Sequence, residues 1–158
     1  MGREGDTAFV CVEGHGSFES AQHLKSFIDQ VSEKGVIHFV FNLEKCSYMD
    51  STFMGILAAL SIHMRKVHAS VPKIVNPDPR CVQLLHDLGI DHILQIENKP
   101  VAISEENMEA LAEEKSTPQQ ISKTMLEAHE TLTEVHPPNA VKFKDVLAYL
   151  KEEMGIQG

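Results

Sequence analysis

Residues 36–43, VIHFVFNL, are almost continuously apolar, and most are β-branched or aromatic. A strand with one wet face alternates polar and apolar residues. A run without alternation belongs in a sheet covered on both faces, and such sheets are built from parallel strands joined by crossover helices. This segment therefore predicts a central strand in an α/β layer fold and argues against a helical bundle or a β-sandwich.

The flanking sequence supplies the rest of the layers. Residues 8–12 (AFVCV) read as a strand, closed by the turn Gly14-His15-Gly16. Ala21, Leu24, Phe27, Ile28 and Val31 recur at helical spacing, and Gly35 sits where a C′ glycine ends a helix. After a loop carrying Cys46, Ser47 and Tyr48, a largely apolar helix runs over residues 53–67. Either Asp50 or Ser51 can cap it. Residues 73–76 read as a strand, Asp78 as an N-cap with Pro79 at the first helical position, and Gly89 as the stop of a helix bearing Val82, Leu84, Leu85 and Leu88. Residues 91–96 (DHILQI) complete about four strands.

A second region begins near Pro100. Residues 1–103 carry 9 basic and 12 acidic side chains, whereas residues 104–158 carry 5 and 11. The expected division is an α/β domain over 1–103 and an acidic helical extension over 104–158. Ser104 with Glu105 and Glu106 starts one helix. Thr117-Pro118-Gln119-Gln120 is a capping box with proline at N1. In the helix it opens, Ile121, Met125, Ala128, Leu132 and Val135 form a heptad seam of only two repeats, which favours packing onto the same chain over a dimer zipper. Pro137-Pro138 ends that helix, and Asn139 precedes a last one with Phe143, Val146, Leu147 and Leu150 on one face.

Net charge is −9, which disfavours nucleic acid and anionic membranes as partners. No apolar run approaches a membrane span, and the polar N-terminus shows no signal peptide. Cys11, Cys46 and Cys81 are odd in number and far apart, reading as reduced thiols of a cytoplasmic protein, with Cys46 a small buried hydrophobe. Of nine histidines, the neighbouring pairs His63/His68 and His129/His136 lack the spacing of a helical metal site, and strand residue His38 reads as packed. No phosphate-binding glycine loop and no Gly-x-Ser-x-Gly elbow occurs, so neither cofactor nor metal is expected.

Asp50-Ser51-Thr52 places hydroxyls at the start of a helix, where unpaired amides and the positive end of the dipole accommodate a phosphate. Taken alone, these residues favour an ordinary N-cap, since serine is common at that position. The stretch Phe41-Asn42-Leu43 through Tyr48-Met49-Asp50-Ser51-Thr52-Phe53-Met54-Gly55-Ile56-Leu57, with Lys73-Ile74-Val75-Asn76-Pro77-Asp78-Pro79-Arg80 and Leu88-Gly89-Ile90 downstream, resembles STAS domains of the anti-sigma factor antagonist type. The resemblance covers roughly residues 8–100. It implies a mixed sheet with helices mainly on one face, and a regulatory binding module in place of an enzyme. It further implies that Ser51, with Thr52 as second choice, accepts phosphate from a partner serine kinase, the anti-sigma factor, which breaks the complex; a phosphatase would reverse it.

The implied partner surface is Gly14, His15, Gly16, Asp50, Ser51, Thr52, Met54, Gly55, Asn76 and Asp78. Phe53 stands where the family pattern has glycine, either as a first core contact or as a change in kinase access. The first strand of the family is missing or very short here, which leaves a sheet edge for the tail to cover or for a homodimer through that edge or the C-terminal helices. Two other readings remain: an unphosphorylated STAS scaffold in a lipid-transport or signalling assembly, and a small hydrolase using Ser51.

Overall fold

In the computed structural model, which describes residues 2–98 and 116–156, the apolar run forms the middle strand of a five-stranded sheet. The strands are β1 (Gly2–Glu4), β2 (Thr7–Cys11), β4 (His38–Asn42), β6 (Lys73–Val75) and β7 (Gln95–Glu97), in that spatial order. β1 runs antiparallel to β2 and the other pairs are parallel. A small parallel ladder joins β3 (Gly14–Gly16) to β5 (Cys46–Met49). These two segments read as turn and loop in the sequence. With three and four residues, the first of them two glycines around a histidine, they are too short to carry a strand signal, and only their pairing makes them strands.

Register explains the core. Ala8 pairs with Phe39, Val10 with Phe41 and Phe41 with Ile74, so all five side chains fall on one face, and all are buried. Burying each phenylalanine contributes about 2 kcal/mol or somewhat more. The opposite face holds Phe9, Val40 and Lys73 in register, all half-buried, while His38 is exposed. Among the described residues the central strand is thus fully buried on one face and only partly on the other, where its composition suggests cover on both. His38 Nδ1 lies 3.0 Å from the Ser70 hydroxyl, which satisfies it.

The helices in this part of the chain are α1 (Phe18–Glu33), α2 (Ser51–His68) and α3 (Pro79–Asp87). Gly35 follows α1 at φ +88°, the left-handed geometry of a C′ residue. The segment read as a strand over 91–96 divides into a 3-10 turn (Asp91–Ile93) and β7, so its first half follows helix rather than ladder geometry. The first strand is present but short, and it covers the edge of β2.

The C-terminal part forms α4 (Pro118–Val135), α5 (Asn139–Lys142) and α6 (Lys144–Glu153). The capping box opens α4 as read: Thr117 Oγ1 accepts from Gln120 N, and Gln120 Oε1 accepts from Thr117 N. The helix expected from Ser104 lies outside the described residues. α4 packs on α2, touches α1 and backs onto α6. It covers helix α2. Of the heptad seam, Ala128 and Leu132 are buried, while Ile121, Met125 and Val135 are half-buried. Thr124, Leu126 and His129 are buried instead, because neighbours on two sides demand a broader stripe than a single seam.

Candidate functional site

Three helices begin directly after strands: α1 after β3, α2 after β5 and α3 after β6. Their N-termini therefore gather at the carboxyl ends of parallel strands, where open α/β sheets place binding surfaces. Side-chain contacts tie these ends together. The His15 and Tyr48 rings meet edge-on at 5.8 Å, and the Arg80 guanidinium lies 5.3 Å from the Tyr48 ring centre. Asp78 caps α3, its Oδ1 accepting from Cys81 N at 2.8 Å. Asn76 sits at φ +54°, a conformation asparagine tolerates better than most residues.

Asp50 organises the centre. Its Oδ1 accepts from Phe53 N at 2.9 Å, which makes it the N-cap of α2. Its Oδ2 accepts from Phe18 N at 2.6 Å, the first amide of α1. One carboxylate therefore satisfies orphan donors of two helices and faces both positive dipole ends. Of the two caps open in the sequence, Asp50 is the one used, which frees the Ser51 hydroxyl.

That hydroxyl is already engaged. Ser51 Oγ lies 2.8 Å from Nε2 of His129 on α4, and His129 Nδ1 lies 2.6 Å from the Met125 carbonyl oxygen. A carbonyl only accepts, so Nδ1 carries the proton, and in the neutral imidazole Ser51 donates to Nε2. His129 is 3% exposed and its ring stands edge-on to Phe143 at 4.9 Å. Ser51 is half-buried. The sequence reading passed over His129, weighing it only as a metal ligand. Its position beside Ala128 on the buried side of α4 is the one local signal, and a partner 78 residues away leaves none.

Serine, imidazole and an orienting acceptor in line form a nucleophile–base geometry. A hydrolase also needs a substrate cleft at the serine. A cleft of about 500 Å³ opens between α1, α2 and α4, with Gly55 and Ala128 in its wall, but neither Ser51 nor His129 lines it.

The expected partner residues divide by accessibility. Gly14 and His15 are exposed; Asp50, Ser51, Asn76 and Asp78 are half-buried. Gly16, Thr52, Met54 and Gly55 are buried, and in this arrangement they offer no surface to another protein. Gly55 lies directly beneath α4: a Cβ there would come within 2.6 Å of Ala128. Phe53 is 2% exposed, its ring packed against Gly16, so it is a core contact. Tyr48 and Arg80 join the surface although neither stood out in the sequence. Cys46 and Cys81 are buried; burial pushes the Cys81 thiol well above its ordinary range, and Cys46 and Asp78 act in the same direction. Among the described residues, no group of three or more His, Cys, Asp or Glu side chains is arranged to hold a metal ion, and no helix is long and apolar enough to cross a membrane.

The profile of the STAS domain family matches residues 3–102, well over half of the chain. The chain belongs to the STAS domain family. No curated protein sequence matches it. Among solved structures, this STAS protein resembles one from Thermotoga maritima described as an anti-sigma factor antagonist, at 17% identity and a TM-score of 0.55, over 60% of this chain and 80% of that one. It also resembles the anti-sigma factor antagonist SpoIIAA in its unphosphorylated form, at 17% identity and a TM-score of 0.52, over 58% of this chain and 79% of that one. At such identity the likeness establishes the shared mixed α/β fold.

Proposed function

We propose that this STAS protein is an anti-sigma factor antagonist that binds an anti-sigma serine kinase and is switched off when the kinase phosphorylates Ser51. The observation that carries the reading is the double cap. Because Asp50 caps α2 and also accepts from the first amide of α1, Ser51 has no capping duty, and its hydroxyl, bonded to His129, stands at a helix N-terminus. In the transfer, Oγ takes the γ-phosphoryl group of ATP, ADP leaves, and the hydroxyl proton goes to a base. The product places about −1.5 to −2 charges beside Asp50, a like-charge cost at any interface formed there. The resemblance to antagonists of known structure supports the same reading. Ser51 is favoured over Thr52, which is 2% exposed.

The test is incubation with a purified candidate kinase and ATP, read by mass spectrometry. One phosphoryl mass on wild type and none on Ser51→Ala is expected; transfer to both places the acceptor elsewhere. The scaffold reading draws on one specific observation, the cover that α4 lays over Ser51. Absence of transfer from every candidate kinase favours it. Hydrolysis of generic esters that disappears in Ser51→Ala would favour the hydrolase.

A further inference from the structure

Three helices bound the cleft, and each contributes one stripe of residues at three- and four-residue spacing. Helix α2 is the floor, with Ile56 and Leu60 buried and with Gly55 and Ala59 adding little bulk. Ile28 of α1 and Ala128 of α4 carry the apolar lining up the two walls. The walls are tied together at one end. The Thr124 hydroxyl donates to Gln22 Oε1, and Lys25 Nζ meets Glu127 at 3.1 Å. Among the described residues, no hydrogen bond or ion pair joins α1 to α4 beyond Lys25 and Glu127. The space that opens there, about 500 Å³, has the size of a small-molecule site.

The open part of the rim is acidic. Asp29 and Glu33 lie one turn apart on α1, both exposed, and neither has an ion-pair partner among the described residues. Like charges at this spacing repel each other. Lys25, one turn before Asp29, is committed to Glu127 across the groove and does not relieve them. With His63 neutral, three carboxylates against one ammonium leave the lining two negative charges in excess. These acids are not arranged to hold a metal ion. An apolar floor under an acidic rim is complementary to a molecule that is apolar along its body and positive at one end.

We propose that the cleft between α1, α2 and α4 binds a small organic cation, an alkyl- or arylalkylammonium ion whose body lies over Ile56 and Leu60 and whose ammonium group is held at Asp29 and Glu33. An ammonium offers three donors and no acceptor, which suits two carboxylates. A ligand bearing a carboxylate or phosphate meets the same rim as repulsion, and a neutral one leaves the two acids uncompensated. The bound cation touches all three helices and stabilises their packing by mass action. The site is independent of the antagonist reading, since neither Ser51 nor His129 lines it.

The experiment titrates the full chain with dansylcadaverine, a naphthalenesulfonamide on a pentylammonium tail, and reads its fluorescence. Saturable binding of one probe per chain is expected, with a rise in melting temperature. The N-acetylated probe, neutral but otherwise alike, should bind about tenfold more weakly, and Asp29→Asn combined with Glu33→Gln should weaken the ammonium probe to a similar extent. Glu152→Gln combined with Glu153→Gln removes the same charge from exposed positions on α6 and should leave affinity unchanged. Ala59→Phe places a ring in the cleft from an exposed position and should abolish binding. Absence of saturable binding, or equal affinity for the two probes, overturns the proposal. Equal losses from the α1 and α6 pairs mark a diffuse charge effect and overturn it as well. Full binding by folded Ala59→Phe seats the dye elsewhere and removes the site. Should that variant fail to fold by circular dichroism, the α1 pair decides, because both of its side chains are on the surface.

Discussion

A carboxylate that accepts from two helix N-termini at once does more than a single hydroxyl cap, because both bonds are charge-assisted and both dipoles point at it. Asp50→Ala should therefore cost about 2 kcal/mol or more, seen as a fall in the urea midpoint at unchanged slope. A role for Asp50 confined to partner recognition would leave the midpoint in place. Ser51→Ala strands His129 Nε2 without its donor and should cost about 1–2 kcal/mol in the same assay. Gly16 is subject to a different constraint: an added Cβ would sit 2.9 Å from the Phe53 ring, which is buried and cannot move freely. Gly16→Ala should destabilise by about 1–3 kcal/mol, and Phe53→Leu in the same chain should recover part of the loss. Strict additivity of the two changes would show that the ring is not what excludes a side chain at position 16.

Among the elements, α3 shows how a short helix is fixed at both ends. Asp78 and Pro79 start it, and at its C-terminus His86 Nδ1 meets Asp91 Oδ2 at 2.9 Å, joining the last turn to the 3-10 turn. The hydrogen bond and charge of Asp91 raise the His86 pKa above its ordinary value. A raised folded-state value means that the contact stabilises fully below the unfolded imidazole pKa and fades as pH rises through the folded one. NMR titration should find His86 above the usual imidazole range, and Asp91→Asn should return it; an unchanged titration in that variant would remove Asp91 as the cause. Helix α2 shows the reverse of amphipathic design. Every residue from Thr52 to Leu57 is buried, since this part of the helix is enclosed by neighbours that include α1 and α4. Its apolar composition was plain in the sequence, but the identity of the covering helix was not.

At the scale of the whole molecule, the division into an α/β unit over 1–103 and a helical extension over 104–158 is a proposal about folding. Leu132 and Phe143 of the extension join the same apolar cluster as the sheet residues, so the two parts share a core. A chain ending at residue 116 should still unfold cooperatively, because the sheet, α1, α2 and α3 keep their mutual contacts. It should melt at lower temperature and bind a hydrophobic dye more strongly, since the α2 surface under Ala128 is uncovered. Loss of a cooperative transition would assign the tail to the core and erase the boundary.

The local pattern of residues was enough to determine most of the frame. The uninterrupted run at 36–43 called for a central strand, Gly35 and Gly89 marked helix ends, Thr117-Pro118 opened α4, and the residues around Asp50 carried the family. Each of these signals acts within a few positions along the chain, where propensity and capping chemistry decide. The β3–β5 ladder, the second helix capped by Asp50 and the hydrogen bond from Ser51 to His129 were settled by tertiary structure alone. They join residues 32 to 78 positions apart through groups that many neighbours could equally have satisfied, so the choice of partner was made by packing and left no periodic trace in the sequence.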